Sequence, residues 1–385
     1  MATNSIIFYF LFCGLFILGQ LQRVELGFMP AFYLHDLVLF SWLITIIFSN
    51  GKKILDLIKK IRFNKYKLEI LLISWILIGW LVSFVMGELG VKFIFYSIRF
   101  TSYGLLFFLV SKLKLLKVQY LKWGFYLTGF YLLLFGLLQY VFIPDLRFLS
   151  ILGWDDHYYR LAGTQFDPNY MGIIFVLLFI NFNQLVMKKR ASLKYLLLFL
   201  ILIGLSLTFS RSSYLSFMVA LLLTAKLNPK KYLIGVLLLV LIILAPKPGG
   251  EGVDLTRVAS VNARLESSQK SLNVLQPYQY ITGQGLFNKI KPSYLSKDFV
   301  RADHALLEDN FILLIFNSMG IVGLFLVAIL LGKYLLVLYK KDQVKAISIL
   351  AVLIHAMFNN SFFQPFIFIY LAWSLISKVD RQFKL

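Results

Sequence analysis

The chain has 385 residues, of which 59% are hydrophobic, 17% aromatic and only 15% charged, with a mean hydropathy of +0.79. Water-soluble domains carry about 25% charged and about 45–50% apolar residues, so an ordinary soluble enzyme is excluded and helices packed in a bilayer are indicated. The single cysteine, Cys13, excludes an internal disulfide and a cysteine-built metal site.

About 20 apolar residues cross a bilayer, and twelve runs between charged breaks answer to that description, some of them short. They are 5–22, 31–49, 68–86, 93–110, 121–143, 169–187, 193–209, 212–226, 232–246, 310–332, 345–358 and 364–377. Lipid offers no partner to a free backbone group, so each run must close its own hydrogen bonds as a helix. The expectation is an all-α polytopic integral membrane protein of about 12 transmembrane helices, forming one domain over residues 1–385. The first run has no basic segment before it and no A-x-A-like site after it, and reads as a retained helix.

The net charge of +21 is unevenly placed. The even-numbered loops and the C-terminal tail hold 25 of the 39 basic residues against four acids, Asp56, Glu69, Asp342 and Asp380, and so account for the whole excess. Positive loops stay in the cytoplasm, which puts both termini there and the opposite loops on the outer face. The basic balance is thus a topology signal, with anionic lipid headgroups as its partner. Nucleic-acid binding is not expected, because no soluble module interleaves basic and aromatic residues. Two outer segments are long, 144–168 and 247–309. Loops of that length in compact proteins act as lids or binding segments.

Four outer segments stand out. The first, R-L-A-G-T-Q-F-D-P-N-Y from Arg160 to Tyr170, contains a turn at Asp167-Pro168-Asn169 that opens the sixth helix. The second, S-L-T-F-S-R-S-S-Y-L from Ser206 to Leu215, places Arg211 at a hinge between two runs. The third carries Arg257 and Arg264 and ends in Gly283-Gln284-Gly285-Leu286-Phe287. The fourth extends from Asp309 to Gly323, with His304 five residues upstream.

In this order the four segments resemble the O-antigen polymerase and O-antigen ligase superfamily of bacterial envelope glycosyltransferases. The likeness covers about residues 160–330: R-x-x-G-T-x-x-x-P-N, S-R-x-x-x-L, the arginine-bearing loop with its G-x-G-like turn, and N-x9-G-x-x-G at Asn310, Gly320 and Gly323. In the ligase branch a histidine stands directly before that asparagine and is the proposed catalytic base. This chain has Asp309 there, which favours the polymerase (Wzy-type) branch, where the position varies.

The resemblance implies a GT-C-like architecture and a transfer between undecaprenyl-diphosphate-linked oligosaccharides at the periplasmic face of the bacterial inner membrane. A sugar hydroxyl attacks the anomeric carbon and the lipid diphosphate leaves. A flippase and a chain-length regulator are the implied accessory partners, with no cofactor and no metal. Forked guanidinium donors suit phosphate oxygens, which assigns Arg160, Arg211 and Arg264 to the diphosphate. A carboxylate or imidazole must accept the hydroxyl proton; Asp309 is the first candidate and His304 the second. Arg257, Asn169, Asn310 and His355 are further substrate-binding candidates.

Plainer roles stay open beside these. Arg211 fits an interfacial side chain reaching from a helix end, Arg160 a loop salt bridge to Asp155 or Asp156, and Arg257 and Arg264 solvated loop charges. Asp309 fits a helix cap, Asn169 a turn, His304 an ordinary loop residue and His355 a helix-packing residue. Asp155-Asp156-His157 reads as a solvated loop more than a metal cluster. Arg99, mid-run, must face a cavity or a partner, with Asp36 a candidate, and Gly14, Gly104 and the other helix glycines read as close-packing positions. The rival functions are an O-antigen ligase acting on lipid A core and a flippase. A transporter would place polar residues at mid-membrane in repeated halves, and the sequence has no internal repeat.

Overall fold

In the computed structural model of the chain the described residues are 2–25, 31–60, 63–90, 92–152, 154–185, 190–225, 229–246, 249, 251–255, 259–288 and 308–377. They are predominantly helical: α1 (Ala2–Leu18), α2 (Leu34–Lys59), α3 (Lys67–Val85), α4 (Lys92–Lys112), α5 (Val118–Phe142), α6 (Pro168–Asn183) and α7 (Ala191–Leu207). The order continues with α8 (Arg211–Ala225), α9 (Pro229–Leu244), α10 (Ala259–Asn273), α11 (Gln279–Thr282), α12 (Phe311–Lys341), α13 (Gln343–Ala356) and α14 (Pro365–Ile376).

Each of the twelve apolar runs coincides with a helix. Among the described residues six helical segments are long and apolar enough to cross a membrane, namely Ser5–Gln22, Leu34–Lys59, Lys67–Val85, Phe93–Lys112, Val118–Phe142 and Phe311–Lys341, and six further apolar helices are shorter. The helices α10 and α11 lie inside the segment 247–309, which the sequence marks only as a long loop.

Helix starts follow capping chemistry, because the first turn leaves N–H groups without helical partners. The Asp167 carboxylate accepts from the Asn169 and Tyr170 amides, and Pro168 occupies the first position of α6. Gln364 and Pro365 repeat the device at α14. At α12 the cap is Asn310, whose Oδ1 accepts from the Ile312 and Leu313 amides at 2.9 and 3.1 Å.

The chain divides into two compact units. The first comprises Met1–Phe8, Arg23–Leu115 and Val258–Val337. A short antiparallel pair, Arg23–Val24 with Phe32–Tyr33, precedes α2. Behind it Arg99 of α4 meets Asp36 of α2 at 3.0 Å and donates to the Ala31 carbonyl, while Tyr103 OH and the Tyr33 amide also donate to Asp36. The intramembrane arginine thus has the partner that its sequence position demands.

In the same unit α12 is broken at Gly320, where φ is 64° and ψ is −171°. The carbonyls of Asn317, Ser318 and Met319, on the turn before the break, accept from Gln284 N–H (2.8 Å), Gly285 N–H (2.9 Å) and Trp75 Nε1 (2.9 Å). Such groups need internal partners in lipid. The approach demands glycine on both sides. A Cβ at Gly283 would overlap the Ser318–Met319 backbone, and one at Gly320 would overlap Ile281 and Thr282.

The second unit comprises Tyr9–Gln22, Leu116–Arg257 and Leu338–Leu385. Its α6 is buried almost throughout from Met171 to Phe182. Rings from α1, α5 and α14 form a second layer of core: Phe125 stacks on Tyr370 at 4.3 Å and Tyr9 meets Trp373 edge-on at 5.5 Å. Gly124 and Gly129 make room, since a Cβ there would strike the Tyr9 and Tyr370 rings. Gly136 and Gly204 are packed alike, but a Cβ at Gly14 or Gly104 would meet nothing within 4 Å. The close-packing expectation fails at those two positions because both face outward.

Candidate functional site

The four sequence segments come together in pairs, one pair in each unit. In the second unit the backbone of Leu161 donates to Leu207 at 2.9 Å, joining the first segment to the second. Arg160 is 4% exposed. Its Nε donates to the Thr208 carbonyl at 3.0 Å, and its Nη2 to the Phe209 carbonyl at 3.3 Å and to Asn169 Oδ1 at 3.4 Å. Gln139 of α5 fixes the following turn by accepting from the Ala162 and Gly163 amides, each at 3.0 Å.

Three bulky residues in this region adopt left-handed backbone: Tyr159 (φ 49°), Phe166 (φ 57°) and Phe209 (φ 49°). They directly precede Arg160, Asp167 and Ser210. Each costs about 1–3 kcal/mol, and such strain concentrates where function dictates geometry.

The N-termini of α6 and α8 abut. Ser213 Oγ donates to the Asn169 carbonyl at 3.3 Å, and Gly172 admits the serine, since a Cβ there would overlap it. Arg211 opens α8, half-buried, with Nη1 donating to Leu255 O at 3.3 Å. Two helix N-termini carry partial positive charge, and Arg160 and Arg211 add two full charges. Positive charge therefore gathers here, with the Asp167 carboxylate already on the Asn169 and Tyr170 amides of α6. The Asp167 carboxyl is pushed up to about 6, chiefly by desolvation and then by Asp155, against the lowering effect of the Asn169 amide and Arg160.

Behind the first turn of α8 lies a buried polar network. His355, at the end of α13, is fully buried. Its Nε2 faces Ser212 Oγ at 3.0 Å and Ser213 Oγ at 3.1 Å, and its Nδ1 meets Ser361 Oγ. Asn359 Nδ2 donates to Ser212 Oγ at 2.7 Å. Sequence reasoning marked His355 but passed over Ser212, Ser213, Asn359 and Ser361; the S-R-S-S run was the available signal.

In the first unit the interlock of Gly283–Gly285 with Asn317–Gly320 joins the third and fourth segments. Polar groups gather near it. Asn317 Nδ2 donates to Ser271 Oγ at 2.9 Å and to Glu308 Oε1 at 3.1 Å. Tyr278 OH and Gln279 Nε2 both donate to Glu88 at 2.8 Å. Burial first, then the Glu88 hydrogen bond, pushes the Tyr278 hydroxyl up. Arg264 Nε meets Asp309 Oδ2 at 3.3 Å, with side chains 34% and 53% exposed, so this pair stands in solvent reach.

Of the residues singled out from sequence, Arg160, Arg211, Asn169 and His355 therefore belong to the second unit, and Arg264, Asp309 and Asn310 to the first. Asn310, not Asp309, is the helix cap. Arg257 and His304 lie outside the described residues. Among the described residues no three His, Cys, Asp or Glu side chains are grouped to hold a metal ion. Comparison of the chain with protein-family models, with curated proteins and with solved structures returns no match.

Proposed function

We propose that the chain is a polysaccharide polymerase of the bacterial inner membrane, with both termini cytoplasmic and about 12 spans. It joins undecaprenyl-diphosphate-linked oligosaccharide repeats at the periplasmic face. One observation carries the reading: Arg160 and Arg211 at the abutting N-termini of α6 and α8, two helices that are otherwise apolar. A diphosphate gains charge as its bond to the anomeric carbon breaks. Donors fixed beforehand in a low-dielectric setting stabilise such charge without reorganising. Arg160 is held by two carbonyls and a side-chain amide, so it is oriented before substrate arrives. The scheme asks for no metal, and turnover that persists with a chelator tests that point.

Arg264, read from the sequence as a diphosphate ligand, and Asp309, read as the proton acceptor, lie in the first unit, and this reading does not draw on them. Asp309 in place of histidine keeps the ligase reading second among enzymes. The non-enzyme reading is a flippase for the same lipid-linked repeats, and the break of α12 at Gly320 favours it, because transporters use interrupted helices at their binding sites.

Full-length protein in liposomes containing undecaprenyl-diphosphate-linked repeats separates the readings. Products of two or more repeats on one carrier are expected. Translocation of repeats without joining them would replace the polymerase with the flippase, and transfer only to a lipid A core would replace it with the ligase.

A further inference from the structure

Hydrogen-bond directions around His355 determine which of its nitrogens carries the proton. Ser361 Oγ donates to the Asn359 carbonyl at 3.2 Å, so it has no proton left for the imidazole and must accept from Nδ1–H. In the neutral ring Nε2 is then an acceptor. Two hydroxyls lie near it. Ser213 spends its proton on the Asn169 carbonyl at 3.3 Å. Ser212 is left to donate to Nε2 at 3.0 Å, while its oxygen accepts from Asn359 Nδ2 at 2.7 Å. Ser210 Oγ lies 3.2 Å from Ser212 and 2.9 Å from Ser213 and donates to either.

The result is a hydroxyl donating to a basic imidazole nitrogen whose far side is fixed by a third group. Nucleophile–base pairs elsewhere follow the same logic. Its position matters as much as its chemistry. Ser212 follows Arg211 on the first turn of α8 and is 6% exposed, whereas Ser210, Ser213 and His355 have no exposure. Asn359, which donates to Ser212, is 7% exposed, and among the hydroxyl and imidazole groups of the network Ser212 is the one with any exposure.

We infer that Ser212 and His355 form a proton relay for the transfer proposed above, with Ser212 touching the acceptor hydroxyl. The inference rests on the glycosyltransferase reading and specifies it. In the step, the acceptor oxygen forms its bond to the anomeric carbon as the bond from that carbon to the diphosphate oxygen breaks. The electron pair of that bond leaves with the lipid diphosphate, whose charge falls to Arg160 and Arg211. The acceptor proton passes to Ser212 Oγ while the Ser212 proton passes to His355 Nε2. Once the product has left, the imidazolium returns its proton to Ser212 Oγ, which passes its own to water. Proton acceptance is thereby placed in the unit that carries both arginines, where the sequence reading had put it on Asp309.

The test uses the full-length protein in liposomes with lipid-linked repeats, read as single-turnover rates and KM. S212A, H355Q and H355N are expected to lose about 10²–10⁴-fold in rate with KM within about twofold, because an amide keeps the hydrogen bonds but accepts no proton. S212T, which retains the hydroxyl, should stay within about tenfold of the parent. A folded H355Q or H355N at parental rate, or an active S212A, overturns the relay. Since these variants can lose the fold, the unaltered protein provides an independent measurement. Two protons move in the relay, so its rate in mixed light and heavy water should follow a curved proton inventory, and a linear one overturns it. Unaltered protein that joins no repeats refutes the enzyme reading instead.

Discussion

The two units use similar sequence signals, short motifs of arginine and glycine, for opposite physical ends. In the second unit the motif side chains turn inward: Arg160, Ser212 and His355 are buried and hydrogen-bonded, and three left-handed aromatics hold the backbone around them. In the first unit the motif backbones do the joining, glycine against glycine at the break of α12, while the charged pair Arg264–Asp309 stands in solvent reach. Charge gains force where water is excluded, and a backbone interlock gains stability from carbonyls that lipid cannot satisfy. Under the proposed function, reactivity belongs to the second unit's pair of motifs and construction to the first unit's.

Outside the Ser212–His355 relay, the largest effect should come from Arg160. Arg160→Ala is expected to lower polymer formation by about 10²–10³-fold, with glycan ladders collapsing to single repeats. Arg160→Lys should fail to restore it, because an ammonium lacks the fork that reaches both carbonyls and Asn169. Full-length glycan made by either variant would break the comparison on the side of the second unit.

Gly283→Ala should act on stability instead. It combines a positive φ with overlap of the Ser318–Met319 backbone, for a loss of about 2–5 kcal/mol, seen as a fall in melting temperature in detergent. An unchanged melting temperature would mean that the interlock does not hold the first unit.

Asp167 offers a pH test. Its carboxyl titrates near 6 in the fold against an ordinary 3.8. The unfolded chain therefore releases this proton first, so the stabilising neutral acid is fully present below about 4 and lost as pH rises through about 6. Asp167→Asn keeps the capping oxygen and should flatten that slope in thermal melts between pH 4 and 7. Gln165 gives a smaller change of opposite sign. Its side chain is fully buried, and neither its oxygen nor its nitrogen has a hydrogen-bond partner among the described residues. Gln165→Met should raise stability by about 1 kcal/mol, checked by the same melts. The smallest effect belongs to Arg264 and Asp309. A double-mutant cycle across this exposed pair should return less than about 1 kcal/mol, and Asp309→Asn should still polymerise. Loss of polymer there would move proton acceptance into the first unit.

Much of the fold was legible because lipid restricts the options: each apolar run had to be a helix, and Arg99 inside one had to find an acid, which proved to be Asp36. The four motifs were visible as motifs, but their pairing was not. Pairing is a long-range register that no local periodicity encodes. The break at Gly320 was hidden by apolar residues on both sides, and α10 by a polar sequence that resembles loop. At the fourth motif the cap fell one residue later than Asp309, on Asn310. The serines around His355 went unread because a hydroxyl in an apolar run gives no hint of its partner, and here Ser212 and His355 stand 143 positions apart.

The interlock at Gly320 also orders biosynthesis. Trp75 and Met319 are separated by 244 positions, so the first donor waits in the membrane through most of translation before its acceptor leaves the ribosome. Closure is then a late event, after the early helices have inserted. A released chain truncated before residue 311 would leave the Trp75 indole and the Gln284 and Gly285 amides without these acceptors.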